Sequence, residues 1–201
     1  MSRDLTLAPW FATEHDSAVA SLAHVIVGCG GGRALRPRER LPWRPMLALS
    51  ALSMLPDLDV VGFKFGVPYA APFGHRGATH SLLFAIVAAF IATFLARREG
   101  ERSSRLLFIA LVVAVSHPLL DALTDGGLGV SLLWPISTHR FFFPWTPIPV
   151  APIGARMLTA RGLRVLLYEA AWSLPLAAWA LWPRGDPPSA KPPRVTKHRN
   201  H

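Results

Sequence analysis

Cysteine and charge are both scarce in this chain of 201 residues. There is one cysteine, Cys29, so no disulfide can form within the chain. Charged residues make up 16% of the sequence, against about 25% in an average soluble domain. Hydrophobic residues make up 51%. Polar surface is therefore too limited to cover several apolar helices in water, which argues against a soluble globular fold.

The apolar residues lie in long runs, chiefly 82–96, 106–123 and 165–182. With their flanking residues, these runs reach the roughly 20 residues that a helix needs to cross the hydrocarbon core. We predict an all-α, multi-spanning transmembrane helix bundle with about 4–5 membrane helices. The predicted helices are 17–31, 45–55, 79–96, 106–123 and 161–181. They divide the chain into a polar segment (1–15), a membrane-embedded domain (16–182) and a disordered basic tail rich in proline (183–201).

Basic residues outnumber acidic ones, 21 to 12, and the net charge is +9. They lie beside the apolar runs rather than along one polar helix face, which favours a membrane over a nucleic acid as the partner. With five spans, segments 32–45, 97–105 and 183–201 share one side and hold 14 of the 21 Lys and Arg residues. The positive-inside rule makes that side cytoplasmic, with the C-terminus inside. Cys29 follows a short apolar run as in a lipoprotein, but His24 interrupts that run, so we expect an uncleaved first helix.

One set of polar residues does not fit membrane helices: His24, Asp57, Asp59, His75, Arg76, His80, His117 and Asp121. Ionisable residues at such positions are costly and are functional candidates by default. His117 and Asp121 are four residues apart, so they share one face of the fourth helix. That pair fits either a metal site or two polar groups that satisfy each other.

The predicted topology brings this set to one side of the membrane. Asp57 and Asp59 follow the second helix, His75 and His80 flank the start of the third, and the fourth helix carries His117 and Asp121 near its outer end. His24 on the first helix is expected to line the floor of the same cavity. This convergence favours a metal site.

The chain resembles the bacterial inner-membrane metal-dependent hydrolases, a group of small multi-spanning proteins. The resemblance rests on Leu55-Pro56-Asp57-Leu58-Asp59, His75-Arg76-Gly77-Ala78-Thr79-His80-Ser81 and Ser116-His117-Pro118-Leu119-Leu120-Asp121, together with Ala23-His24. It implies a membrane-bound, metal-using hydrolase. The order of these ligands is also similar to that of the zinc-dependent phospholipase C and nuclease group, whose later ligands have no clear match here.

A hypothesis for the site follows. A divalent ion, Zn first with Mn and Fe as alternatives, would be held by His80, His117, Asp121 and Asp57. His24, His75 and Asp59 would complete this site or bind a second ion. Such an ion activates water and polarises the scissile group. Asp59 or Asp125 would serve as the general base. Arg76 suits an anionic oxygen such as phosphate, or a salt bridge to Asp57 or Asp59.

The outer loop 124–160 carries an aromatic cluster, Trp134, Phe141, Phe142, Phe143 and Trp145. Such a loop suits a lipid or lipid-linked substrate, or it packs on the helix ends. Two other functions stay open. A transporter would use the same His and Asp residues as an ion or proton path, and a non-catalytic adaptor would use the basic tail to recruit a partner.

Overall fold

A computed structural model describes residues 22–97, 103–152 and 158–185. These residues form five α-helices and two 3-10 segments, and they contain no β-strand beyond two isolated bridges. The helices are α1 (Leu22–Leu35), α2 (Trp43–Met54), α3 (Leu82–Ala96), α4 (Ser103–Ala122) and α5 (Ala160–Leu181), and the 3-10 segments are Leu55–Phe65 and Ala78–His80. The predicted all-α bundle is confirmed. The predicted segment 1–15 and most of the predicted tail lie outside the described residues.

Helix α2 ends at Met54, one residue before the end predicted from the sequence, but the helical chain does not stop there. The chain continues from α2 into the 3-10 segment Leu55–Phe65 without a break. Pro56 is tolerated because it lies in the first turn of that segment, where its missing N–H would have no intrahelical partner. Asp57 and Asp59, which were expected to follow the second helix, therefore lie within a helical segment. Gly66 ends that segment in the left-handed conformation, with a φ of +75°.

Helix α1 also runs past its predicted end at residue 31, because its glycines pack instead of breaking the helix. A Cβ on Gly28 would lie 2.3 Å from the Cα of Ser50, and one on Gly32 would lie 2.4 Å from the backbone nitrogen of Met46. Glycines four residues apart thus let the backbones of α1 and α2 approach closely. This is the small-residue packing that is common between membrane helices.

The helices pack as a bundle in which α1 contacts α2, α4 and α5, while α3 contacts chiefly α4. Large apolar side chains remain exposed on the outside, including Phe90 and Phe94 on α3, Phe108 on α4 and Trp172 on α5. Within the described residues, Trp43–Phe65 and Ser104–Ala122 are long and apolar enough to cross a membrane, whereas Leu22–Leu35 and Leu82–Ala96 are shorter apolar helices. This exposed apolar surface is consistent with a helical membrane bundle.

Arg33, near the end of α1, links that end of the bundle together by hydrogen bonds. Its guanidinium is fully buried and donates hydrogen bonds of 2.7–3.2 Å to the carbonyls of Glu39, Arg40, Ala180 and Trp182. The charge is thereby surrounded by carbonyl acceptors from the loop before α2 and from the end of α5. The opposite end of the bundle holds the His and Asp residues.

Candidate metal centre

Four potential ligand atoms meet at one end of the bundle. They belong to Asp57, His80, His117 and Asp121 and lie within 4.8 Å of one another. The Nε2 of His80 is 3.1 Å from the Nε2 of His117, 3.2 Å from Asp121 Oδ2 and 3.4 Å from Asp57 Oδ1. The Nε2 of His117 is 3.5 Å from Asp57 Oδ1 and 3.7 Å from Asp121 Oδ2. Two imidazole nitrogens and two carboxylate oxygens therefore surround one point.

These separations suit tetrahedral coordination of one metal ion. Zinc bonds to imidazole nitrogen and carboxylate oxygen are about 2.0–2.2 Å long, which places neighbouring ligands of a tetrahedron roughly 3.3–3.6 Å apart. The five measured separations, 3.1–3.7 Å, centre on that range. Side-chain exposures of 0–9% for His80, His117 and Asp121 also restrict access of water, whereas the Asp57 side chain is 18% exposed. The residues present therefore fit a divalent metal ion.

Asp59 lies behind His80 and contacts its other ring nitrogen. The Asp59 Oδ2 is 3.1 Å from His80 Nδ1 and accepts a hydrogen bond of 2.6 Å from the Thr79 hydroxyl. Its Oδ1 is 2.7 Å from the Nδ1 of His75. A carboxylate at Nδ1 holds the proton there, so that Nε2 keeps its lone pair for a metal. Asp59, His75 and His80 also form a second group able to hold an ion.

His24 forms one wall of the cluster. Its ring stacks on that of His117 with centroids 3.9 Å apart, and its Nε2 lies 3.4 Å from Asp121 Oδ1. Arg76 lies beside the same oxygen, with its Nη2 at 3.5 Å, and its Nη1 donates to the Thr124 hydroxyl and the Gly126 carbonyl. Oδ2 of Asp121 thus faces the four-atom site, and its Oδ1 faces His24 and Arg76.

Arg76 adopts a left-handed backbone conformation, with a φ of +59°, although it is not a glycine. This conformation is unfavourable for a residue with a Cβ. The residue is 5% exposed, and within the described residues its Nε has no hydrogen-bond partner. The fold thus holds a permanently charged guanidinium next to the cluster at a conformational cost.

Arg140 was not among the predicted site residues, yet it joins the two loops around the cluster. Its Nη1 donates to the His75 and Gly129 carbonyls, and its Nη2 donates to the carbonyls of Tyr69 and Ala71. The position of Arg140 within the aromatic loop could have indicated this role, because an arginine among apolar residues needs acceptors. Arg140 therefore fixes the loop that carries His75.

Burial and neighbouring charges shift the pKa of His80 and of Tyr69, which precede α3, in opposite directions. Burial alone would lower the pKa of His80, but hydrogen bonds with the carboxylates of Asp121, Asp57 and Asp59 raise it well above its ordinary value. Burial raises the pKa of Tyr69, while the neighbouring charge of Arg76 acts to lower it. At His80 the three neighbouring carboxylates therefore outweigh the effect of burial.

The structure brings together all eight polar residues singled out in the sequence and leaves Asp125 apart. Asp125 is exposed, and its carboxylate accepts a hydrogen bond from the backbone N–H of Val150. Ser81 caps α3 by accepting a hydrogen bond from the Phe84 N–H.

Comparisons with known proteins agree with the membrane architecture. Residues 19–184 match the family model described as YdjM inner membrane protein. The chain is 46% identical over 134 residues to inner membrane protein YbcI of Escherichia coli K12, an alignment that covers 66% of this chain and 78% of that protein. It is 37% identical over 112 residues to inner membrane protein YdjM of the same strain, covering 51% of this chain and 54% of that protein. No solved structure matches the chain.

The family match includes every helix described above and all residues of the His/Asp cluster. The relatives are named inner membrane proteins, which supports a location in the bacterial inner membrane. The chain belongs to the YdjM family of inner membrane proteins.

Proposed function

We propose that the protein is a membrane-bound, metal-dependent hydrolase whose ion lies among Asp57, His80, His117 and Asp121. The observation that carries this proposal is the meeting of their four ligand atoms within 4.8 Å. The ligands come from three separate parts of the chain: the 3-10 segment after α2, the turn before α3, and the last turns of α4. Polar residues that only satisfied one another in pairs would not need to meet at a single point.

Zinc is the ion we propose first. Two imidazoles with carboxylates are a common zinc set, and catalytic zinc sites often use two His and one acidic residue. Manganese and iron(II) accept the same ligands and are the alternatives. When bound, such an ion would activate water and polarise the scissile bond of a substrate.

Three of the four ligands are enclosed, and Asp57 is the one that borders solvent. A catalytic metal site keeps a position open, whereas four protein ligands close a tetrahedral site. We therefore propose that His80, His117 and Asp121 hold the ion and that substrate approaches on the side of Asp57. At that side Asp57 completes the ligand set or takes a proton from the attacking water.

Asp59 has a different role in this scheme. Its side chain is 2% exposed, and both of its oxygens already contact His75, Thr79 and His80. A general base must reach the water that it deprotonates, and these contacts occupy Asp59 instead. We propose that Asp59 positions His80. Asp125, the other general base considered from the sequence, hydrogen-bonds Val150 outside the cluster.

A lipid or a phosphate ester is the substrate class we propose. Arg76 supplies a fixed positive charge next to Asp121, where it can bind an anionic phosphoryl oxygen. On the loop after α4, Phe142, Phe143 and Trp145 are 43%, 40% and 73% exposed. Exposed aromatic residues of this kind enter the headgroup region of a bilayer. Together they favour a substrate that is itself part of the membrane.

The orientation in the membrane is part of the proposal. The cluster lies at the end of the bundle opposite Arg33 and the arginines that follow α1. Because Lys and Arg are concentrated on the cytoplasmic side, we propose five spans with the cluster at the outer face and the C-terminus inside. Cysteine accessibility on the two sides of sealed membrane vesicles, probed with an impermeant thiol reagent, tests this arrangement.

The test of the metal is its content in protein purified in detergent, measured by mass spectrometry. Wild type should hold about one equivalent of zinc, manganese or iron, and His117→Ala and Asp121→Ala should hold none while still eluting as folded protein. Asp125→Ala is the matched control and should keep the metal. Wild-type protein that takes up no metal even after reconstitution contradicts the proposal, and the cluster should then be tested as a proton path.

The test of hydrolysis uses the loaded protein with phospholipids and soluble phosphodiesters. Turnover that disappears in His117→Ala and persists in Asp125→Ala supports a hydrolase. Asp57→Asn then separates two roles: metal retained with activity lost indicates a proton acceptor, and metal lost indicates a ligand. Bound metal without turnover on any phosphate ester refutes the proposed substrate class.

A further inference from the structure

A groove lies between α2 and α3 at the end of the bundle opposite the metal centre. Helix α3 packs on α4 and barely contacts α2, while α2 packs on α4, so that α4 forms the floor of a slot. The slot has a volume of about 530 Å³. Its walls are apolar and include Leu49, Leu52, Ala92, Ala96, Leu106 and Ala110. The side chains of the alanines on α3 and α4 are small, so they do not fill the space between the helices.

The mouth of this α2–α3 groove is basic. Arg36 and Arg44 line it together with Trp43 and a single acidic residue, Glu39. Glu39 forms an exposed ion pair with Arg36, with Nη1 and Oε1 3.5 Å apart. A neighbouring cavity of about 450 Å³ shares Leu35, Arg36 and Glu39 with the groove and adds Arg38 and Arg105. The mouth and the neighbouring cavity together therefore present four arginines and one carboxylate.

Trp43 indicates where the mouth of the groove lies relative to the bilayer. Its side chain is 60% exposed, and the guanidinium of Arg44 lies 5.3 Å from its ring centroid. Exposed tryptophan favours the headgroup region, and arginine beside it reaches lipid phosphates. The arginines thus lie at headgroup level, and the apolar slot runs from there toward the middle of the bilayer.

We infer that the α2–α3 groove binds an anionic phospholipid, with an acyl chain in the slot and the phosphate among the arginines. The slot is apolar and faces the hydrocarbon region, where the backbone of an extended peptide would lack hydrogen-bond partners. A lipid chain has no such requirement. Basic pockets between membrane helices are sites where acidic headgroups bind. This inference does not depend on the metal centre, because the two sites share no residue.

Native mass spectrometry of the full chain in detergent, with added phosphatidylglycerol or phosphatidylcholine, tests the inference. Wild type should retain phosphatidylglycerol in preference to phosphatidylcholine. Arg36→Ala with Arg44→Ala should weaken phosphatidylglycerol binding about 30-fold, because each basic residue contributes about 1 kcal/mol. Arg161→Ala with Arg164→Ala removes the same charge from exposed positions at the start of α5, and binding should be unchanged.

A second variant tests the slot without changing any charge. Ala92→Leu fills the groove from α3 and should also reduce binding, whereas Ala171→Leu, at an exposed position on α5, should not. Equal retention of the two lipids refutes a site for an anionic headgroup. Unchanged binding in either groove variant refutes the α2–α3 groove as its location. A groove occupied by a second copy of the chain would appear as a dimer without bound lipid and would also overturn the inference.

Metal content measured on the same preparations keeps the two proposals separate. The groove variants should retain the metal of the wild type, because they lie at the other end of the bundle. Lipid retention in a protein that binds no metal would leave this inference standing while the proposed function fails.

Discussion

Replacing Asp59 with asparagine removes the carboxylate behind His80 while preserving its size. In the wild type, this carboxylate contacts His75, Thr79 and His80 at 2.7, 2.6 and 3.1 Å. Asparagine offers one acceptor oxygen and an amide nitrogen that only donates. Either His75 on one side or Thr79 and His80 on the other would then face a donor instead of an acceptor. In the second orientation the ring of His80 loses the acceptor that fixes its Nδ1 proton, and in the first the contact that anchors residue 59 to His75 is lost.

The expected result is a weaker metal site that retains its ligands. Changing an outer-shell partner of a metal-binding histidine lowers affinity by about 10- to 100-fold, or roughly 1.4–2.7 kcal/mol. We expect the upper part of this range for Asp59→Asn, because its carboxylate is 2% exposed and no water can readily replace it.

Competition between the protein and a fluorescent zinc chelator, at fixed pH and in the same detergent, measures this change. Asp125→Asn is the control, since it makes the same chemical change in an exposed carboxylate that hydrogen-bonds Val150. Unchanged affinity in Asp59→Asn would refute the argument that Asp59 orients His80. Complete loss of metal, as expected for His117→Ala, would mean that Asp59 is itself a ligand and that the ion lies between Asp59, His75 and His80.

Three further changes test other parts of the structure. Gly32→Ala places a Cβ 2.4 Å from the backbone of Met46 and should lower the free energy of unfolding by about 1–3 kcal/mol. A Cβ on residue 185 would meet no atom within 4 Å, so Gly185→Ala should leave stability unchanged. Thermal unfolding in detergent compares the two variants. Arg140→Met leaves carbonyls of both site loops without their donor, so proteolysis of these loops should be faster. His24→Phe retains a ring beside His117 but loses the contact with Asp121, so metal content should persist, and a metal-free variant would make His24 a ligand.

The sequence allowed the helices and the members of the cluster to be predicted for different physical reasons. Long apolar runs identify α3 and α4 because a membrane helix needs an unbroken length of apolar residues. The cluster was predictable because alternating helix directions bring the end of α2, the start of α3 and the end of α4 to one face. Neither argument requires knowledge of side-chain packing.

Features that depend on packing were not predictable. The glycine run in α1 reads as a helix end, and only the close approach of α2 to Gly28 and Gly32 explains why the helix continues. Asp57 and Asp59 have the same chemistry and lie in one turn of the chain. Their separate positions depend on whether each faces the Nε2 or the Nδ1 side of His80. Sequence spacing carries no information about that choice.

The distribution of the four ligands along the chain has a consequence for how the protein is made. Asp57 and His80 emerge from the ribosome with α2 and the start of α3, but the other two ligands, His117 and Asp121, arrive only with the end of α4. A chain stalled before α4 would present one imidazole and one carboxylate of the set, too few for a tight zinc site. An ion in this four-residue site would therefore be captured only after α4 has been made. The second group, Asp59, His75 and His80, is complete before α4 begins, so an ion held there could bind while only the first three helices exist.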